Sequence, residues 1–129
     1  MERIDGYCCD SDVLIDYLRG FKPARDFLSK ASGEGTFIIS IVSVVEIYAG
    51  KETSDPEKRI LLDKFLENFD IIELDIAIAK HAGELRRDYE KPFADMVVAA
   101  TARYYNLALV TKNTRHFQGI KGLSLLRPY

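Results

Sequence analysis

The stretch that most constrains the fold of this chain is Tyr7 to Leu18, YCCDSDVLIDYL. A short apolar run ends in Asp10-Ser11-Asp12, and an amphipathic helical spacing then begins with Val13, Leu14, Tyr17 and Leu18. Apolar run, acid, then helix is the pattern of a buried strand feeding a crossover helix, with the acid left at the strand's carboxyl end. In open α/β sheets that edge is where ligands and chemistry collect. Whatever else reaches the same edge is a candidate for the site.

The strand-then-helix unit recurs. Gly20 breaks the first helix, Pro23 restarts the pattern, and residues 24–31 read as a second helix closed by the Ser32-Gly33-Glu34-Gly35 turn. Thr36-Phe37-Ile38-Ile39 is β-branched and aromatic without charge, a second strand. It leads through residues 40–43 into a helix with Val44, Val45, Glu46, Ile47 and Tyr48, stopped by Gly50. Residues 51–56 form a loose polar connection, and Pro56 opens a helix to about residue 69. Residues 70–74 are a third strand, and Asp75 caps a helix over 76–90. Beyond Pro92, residues 94–105 are apolar nearly all round, hence a buried helix. Residues 107–111 are a fourth strand, 112–117 a loop or single helical turn, and 123–126 a short last strand. Strands alternating with helices predict an α/β fold in one domain over residues 1–129, a parallel sheet of four to five strands with helices on both faces. Right-handed crossovers then bring every strand's carboxyl end to one edge.

Composition narrows the class. The formal charge of −2 excludes a basic nucleic-acid coat but not a nucleic-acid enzyme, because a small site can bring its own cations. No apolar run approaches the roughly 18 residues of a membrane span. Met1-Glu2-Arg3-Ile4-Asp5-Gly6 lacks the apolar core of a secretory signal, so a cytoplasmic protein without membrane contact is expected. Adjacent Cys8 and Cys9 point to opposite faces of a strand and read as two small buried hydrophobes rather than metal ligands.

Three carboxylates reach the edge: Asp10, Glu46 and Asp95. Each has a structural alternative. Asp10 suits an N-cap, Ser43-Val44-Val45-Glu46 matches a capping box, and Asp95 lies in a first helical turn where the dipole favours an acid. Asp95, however, is the only ionisable residue of ADMVVAATA, and an acid on an apolar helix pays desolvation unless a cation or several donors attend it. Three acids converging from three segments repel one another, which hard divalent cations relieve. Oxygen-only ligation suits Mg²⁺ or Mn²⁺. Asn113 follows the fourth strand and offers an oxygen ligand, a substrate hydrogen bond or a helix cap. Its neighbours Lys112 and Arg115 are either phosphate-binding cations or solvated charges. Ser11, between two acids, is a further substrate-contact candidate. His81 and His116 read as ordinary surface residues, and Asp16 and Arg19 as a solvated pair.

Taken together, CDSDVLIDYLRG, SVVEIYAG, ADMVVAATA, LVTKNTRHF and the closing GLSLLRPY resemble the PIN-domain ribonucleases of the VapC toxin type, almost end to end and in the family's order. The resemblance implies a Rossmann-like three-layer α/β/α fold and cleavage of RNA dependent on one or two Mg²⁺ or Mn²⁺ ions. It also implies a homodimer and inhibition by a VapB-type antitoxin. Asp10, Glu46 and Asp95 match the family's metal-binding acids. Asn113 stands where many members carry a fourth acid, His116 where the "RDF" form has Asp, and Asp12 where Asn is usual. The apolar Tyr17, Phe21, Phe27 and Leu28 exceed what a small monomer readily buries, which also points to a dimer. Two rivals remain. A phosphoaspartyl hydrolase would use the D-x-D of Asp10 and Asp12, and a non-catalytic PIN-like scaffold would bind without cutting.

Overall fold

The computed structural model describes residues 5–129; the reading of the extreme N-terminus rests partly on residues 1–4, which lie outside them. At the centre is β1 (Gly6–Cys9), paired in parallel with β2 (Thr36–Ser40) on one side and β4 (Ala108–Val110) on the other. Outside β2 lies β3 (Asp70–Ile72) and outside β4 lies β5 (Leu125–Leu126), giving a parallel sheet in the order β3-β2-β1-β4-β5. Gly6 makes the central pairing possible. Its φ is +152°, and a Cβ there would stand 2.0 Å from the Thr36 carbonyl oxygen.

The helices are α1 (Ser11–Leu18), α2 (Lys22–Ala31), α3 (Ile41–Tyr48), α4 (Pro56–Leu66), α5 (Ile76–Tyr89), α6 (Phe93–Tyr104) and the single turn α7 (Thr114–Phe117). They cover the sheet from both sides, and the two cysteines divide the core between them. Cys8, in register with Ile38 and Leu109, packs with Ile78, Leu85, Met96 and Phe117 against α5, α6 and α7. Cys9 points the other way, packing with Ile39, Val110, Val13, Leu14, Leu28, Ile47, Leu62 and Leu66 of α1 to α4. Both thiols are free and fully buried, which pushes Cys8 up to about 12 and leaves it inert. The apolar helix α6 is buried over every residue from Met96 to Ala102, its alanines letting it lie close to the sheet.

Several local expectations are corrected. Helix α3 starts at Ile41, because the Ser40 hydroxyl accepts from the Val42 amide. Ser43 therefore lies inside the helix with a buried, unpartnered hydroxyl, and no capping box forms with Glu46. Residues 51–54 are a 3₁₀ turn rather than a loose linker, pinned by the Thr53 hydroxyl on the Tyr48 and Gly50 carbonyls at 2.9 and 2.8 Å. Helix α4 stops three residues early, where the Asn68 amide caps the Phe65 carbonyl, so Phe69 meets Phe37 and Phe65 from a turn. Asp16 and Arg19 do not pair: Arg19 reaches Glu52 at 3.5 Å, and Asp16 is taken by other groups described below.

The apolar residues of α1 and α2 that suggested a dimer are only partly covered by the chain itself, Leu18 and Phe21 staying 38% and 47% exposed. The chain itself buries Leu28, stacks Tyr17 on Phe65 at 4.9 Å, and sets Phe27 against Tyr7, while Phe21 meets Tyr129 at its edge. Further large apolar side chains are exposed on Val45, Ile60, Leu61, Ile76 and Phe93. Among the described residues no helix is long and apolar enough to cross a membrane.

Candidate active site

Strand β1 runs out into Asp10 beside the end of β4, the Asp10 amide donating to the Val110 carbonyl at 2.9 Å. Asp10 is at once the N-cap of α1 and a nearly buried carboxylate. Its Oδ1 accepts from the Ser11 amide at 2.9 Å, and its Oδ2 from the Thr111 hydroxyl at 2.9 Å. These donors do not offset the environment. Burial, with the charges of Asp12 and Glu46 nearby, pushes its carboxyl up to about 7.

Ser11 ties in the second acid. Its hydroxyl donates to Glu46 Oε1 at 3.1 Å, so the acid of α3 stands over the start of α1. Asp12 completes the group: its Oδ2 accepts from the Lys112 amide at 3.0 Å and lies 3.4 Å from the Thr111 hydroxyl. Burial raises the Asp12 carboxyl as well, although the Lys112 and Val13 amides oppose it. Hydrogen bonds of Ser11, Thr111 and the Lys112 amide thus tie Asp10, Asp12 and Glu46 to the start of α1.

The third expected acid comes from a different element and has a partner of its own. Because β4 runs parallel to β1, the helix feeding it descends from the carboxyl edge and places Asp95 there, in the first turn of α6. Asp95 is half-buried and its Oδ2 lies 3.1 Å from His116 Nδ1 on α7. His116, exposed on α7 as expected of a surface residue, is thus the partner of Asp95. Among the described residues no three His, Cys, Asp or Glu side chains are already drawn around one ion point. The arrangement is an open set of oxygen donors in which burial first, and then the neighbouring acids, raise the Asp10 carboxyl. That donor chemistry fits a hard divalent cation, with Asp10, Glu46 and Asp95 as the side chains to hold it.

The flanking candidates divide. The Lys112 ammonium pairs with Asp16 at 2.6 Å, Asp16 also accepting from the Tyr129 hydroxyl at 2.8 Å. Arg115 is exposed and unpaired among the described residues. Asn113 precedes α7, but its side chain makes no cap bond; its amide donates to Thr111 Oγ1 at 3.1 Å and its carbonyl accepts from the His116 amide. Thr111 escaped the sequence reading although it contacts both Asp10 and Asp12. Its signal was a lone hydroxyl closing an apolar strand at the edge where the acids gather.

With this geometry in view, comparison with known proteins is decisive for the family. The PIN domain matches residues 7–123, and the chain belongs to that family. It is 36% identical over 113 residues to Ribonuclease VapC10 of Mycobacterium tuberculosis, covering 84% of this chain and 83% of the relative. It is 34% identical over 125 residues to the tRNA(fMet)-specific endonuclease VapC of Shigella flexneri, covering 91% and 93%. A toxin–antitoxin complex from Klebsiella pneumoniae contains a chain of the same fold, with a TM-score of 0.84 and 28% identity over 96% of this chain and 98% of that one.

Proposed function

We propose that this PIN domain is a Mg²⁺- or Mn²⁺-dependent endoribonuclease, the toxin of a VapB–VapC type pair. The observation that carries the metal dependence is Asp10, held buried at about 7 beside Asp12 and Glu46. Buried carboxylates with perturbed pKa values collect at catalytic sites. Asp10, Glu46 and Asp95 are the residues that would hold one or two ions. What a bound ion supplies is charge neutralisation and a water acidic enough to attack a phosphodiester near neutral pH. Ser11 and Thr111 fix the acids through the hydrogen bonds they donate, and Asn113 follows Thr111 with an exposed side chain that makes no cap bond.

The relatives named as ribonucleases and the Klebsiella complex support RNA as substrate and an antitoxin as partner. Exposed Ile60 and Leu61 on α4, with Val45 and Ile76, are apolar surface that an antitoxin or second copy would cover. The test is calorimetric titration of Mn²⁺ into wild type and Asp95→Asn, with RNA cleavage measured on the same samples. Binding and cleavage that both collapse in the variant support the reading. Full metal-dependent cleavage by Asp95→Asn overturns it.

A further inference from the structure

The segment that follows β4 joins two acids belonging to different elements. At one end, Thr111 Oγ1 donates to Asp10 Oδ2 at 2.9 Å and accepts from the Asn113 amide at 3.1 Å. The Asn113 carbonyl accepts in turn from the His116 amide at 3.0 Å, closing α7. At the other end, His116 Nδ1 lies 3.1 Å from Asp95 Oδ2. An ionised carboxylate only accepts, so Nδ1 is the ring nitrogen that carries the hydrogen and donates it. Among the described residues no other group hydrogen-bonds or ion-pairs with the Asp95 carboxylate. The turn is anchored by its next residue, Phe117, which is buried in the core layer that α6 also lines. Asp10 and Asp95 are thus connected without a break through residues 111–116.

We propose that His116 is a positioning residue: it fixes Asp95 relative to Asp10, so that the acids favour a small, geometrically demanding cation over Ca²⁺. The inference rests on the metal reading above and concerns which ion the acids accept. A carboxylate oxygen held by an N–H keeps one place, and partners of this kind orient ligating groups and tune their affinity. Fixed spacing suits Mg²⁺, which demands near-ideal octahedral geometry at about 2.0–2.1 Å. Ca²⁺ takes more oxygens at about 2.3–2.6 Å in flexible geometry, so it loses less when one acid is loosened. The imidazole is itself half-exposed, so its bond adds little to folding, and an effect on binding stands apart from one on stability.

The experiment measures bound Mn²⁺ by electron paramagnetic resonance, with Mg²⁺ and Ca²⁺ as competitors, on wild type, His116→Ala and His116→Asn. Thermal unfolding in EDTA accompanies each protein. The Asn amide offers an N–H donor in the place of Nδ1. Loss of a partner that orients a ligating group predicts about 10- to 100-fold weaker Mg²⁺ binding in His116→Ala. Ca²⁺ should weaken by less, lowering the ratio of Mg²⁺ to Ca²⁺ affinity, and His116→Asn should restore that ratio. Unfolding temperatures should agree across the three proteins. Unchanged Mg²⁺ binding by His116→Ala overturns the inference while leaving the metal reading intact. Tighter binding also overturns it, showing that the imidazole holds Asp95 away from the ion. Equal losses of Mg²⁺ and Ca²⁺ overturn it too, because the spacing of the acids would then not decide the ion. Wild type that binds no divalent cation overturns the metal reading, and this inference with it.

Discussion

The Thr111 hydroxyl donates to Asp10 Oδ2 at 2.9 Å, joining two residues 101 positions apart in the chain. The same oxygen accepts from the Asn113 amide at 3.1 Å and lies 3.4 Å from Asp12. One hydroxyl at the end of β4 therefore sets the spacing of two carboxylates at the end of β1. Thr111→Val keeps the shape and removes the donor, leaving Asp10 and the Asn113 amide without that partner. The expected cost is about 1 to 3 kcal/mol in thermal or denaturant unfolding, with lower metal affinity. Unchanged stability and affinity would show that the bond is incidental.

Metal affinity should rise with pH. Burial and neighbouring acids hold the Asp10 carboxyl at about 7, so below that value a proton occupies the side chain that must ligate. Affinity for Mn²⁺ should increase roughly tenfold per pH unit up to about pH 7 and flatten above it. Titration calorimetry at several pH values reads both the slope and the accompanying proton release.

The same carboxyl makes the metal-free protein pH-sensitive in the opposite sense. The folded carboxyl is raised from 3.8 to about 7, so between those values the folded protein keeps a proton that the unfolded chain releases. Its contribution to stability is full below about pH 4 and is lost as pH rises through 7. Asp10→Asn removes this dependence. Above pH 7, in EDTA, the variant should be more stable than wild type by about 2 to 4 kcal/mol, while losing metal binding. A variant no more stable than wild type at pH 8 would mean that Asp10 is not strained by burial.

Glu46 is held by a single hydroxyl, Ser11 Oγ, at 3.1 Å. Glu46 is otherwise exposed, so Ser11→Ala should cost no more than about 1 kcal/mol of stability. It should nevertheless lower metal affinity, because the freed carboxylate must be ordered each time an ion binds. Calorimetry on this variant separates the two effects.

A purely structural prediction concerns Gly6. Its added Cβ would stand 2.0 Å from the Thr36 carbonyl oxygen, at a φ that L side chains rarely adopt. Gly6→Ala must separate β1 from β2 at their first register pair, and should leave little folded protein at physiological temperature. Circular dichroism and proteolysis would register it.

The sequence alone determined the frame. A run of apolar residues ending in an acid before an amphipathic spacing can only leave Asp10 at the carboxyl edge, and period-two geometry alone sends Cys8 and Cys9 to opposite layers. The unbroken apolar stretch around Met96 is similarly committed to burial, because nothing on it can face water. Those properties are local, fixed by spacing and hydrophobicity.

What only tertiary structure decided is which group answers each charge. Asp16 looked outward to Arg19 three residues away, yet it binds Lys112 and Tyr129, because the order β1-β4-β5 sets the exits of those strands beside α1. Asp95 met His116 and Glu46 met Ser11 for the same reason. Ser43 was read as a cap and became a buried, unpartnered hydroxyl once Ser40 had claimed the start of α3. Hydrogen bonds and ion pairs reach only about 3 Å, so they depend on where strands lie beside one another, and that is settled by packing of the whole sheet rather than by any local spacing.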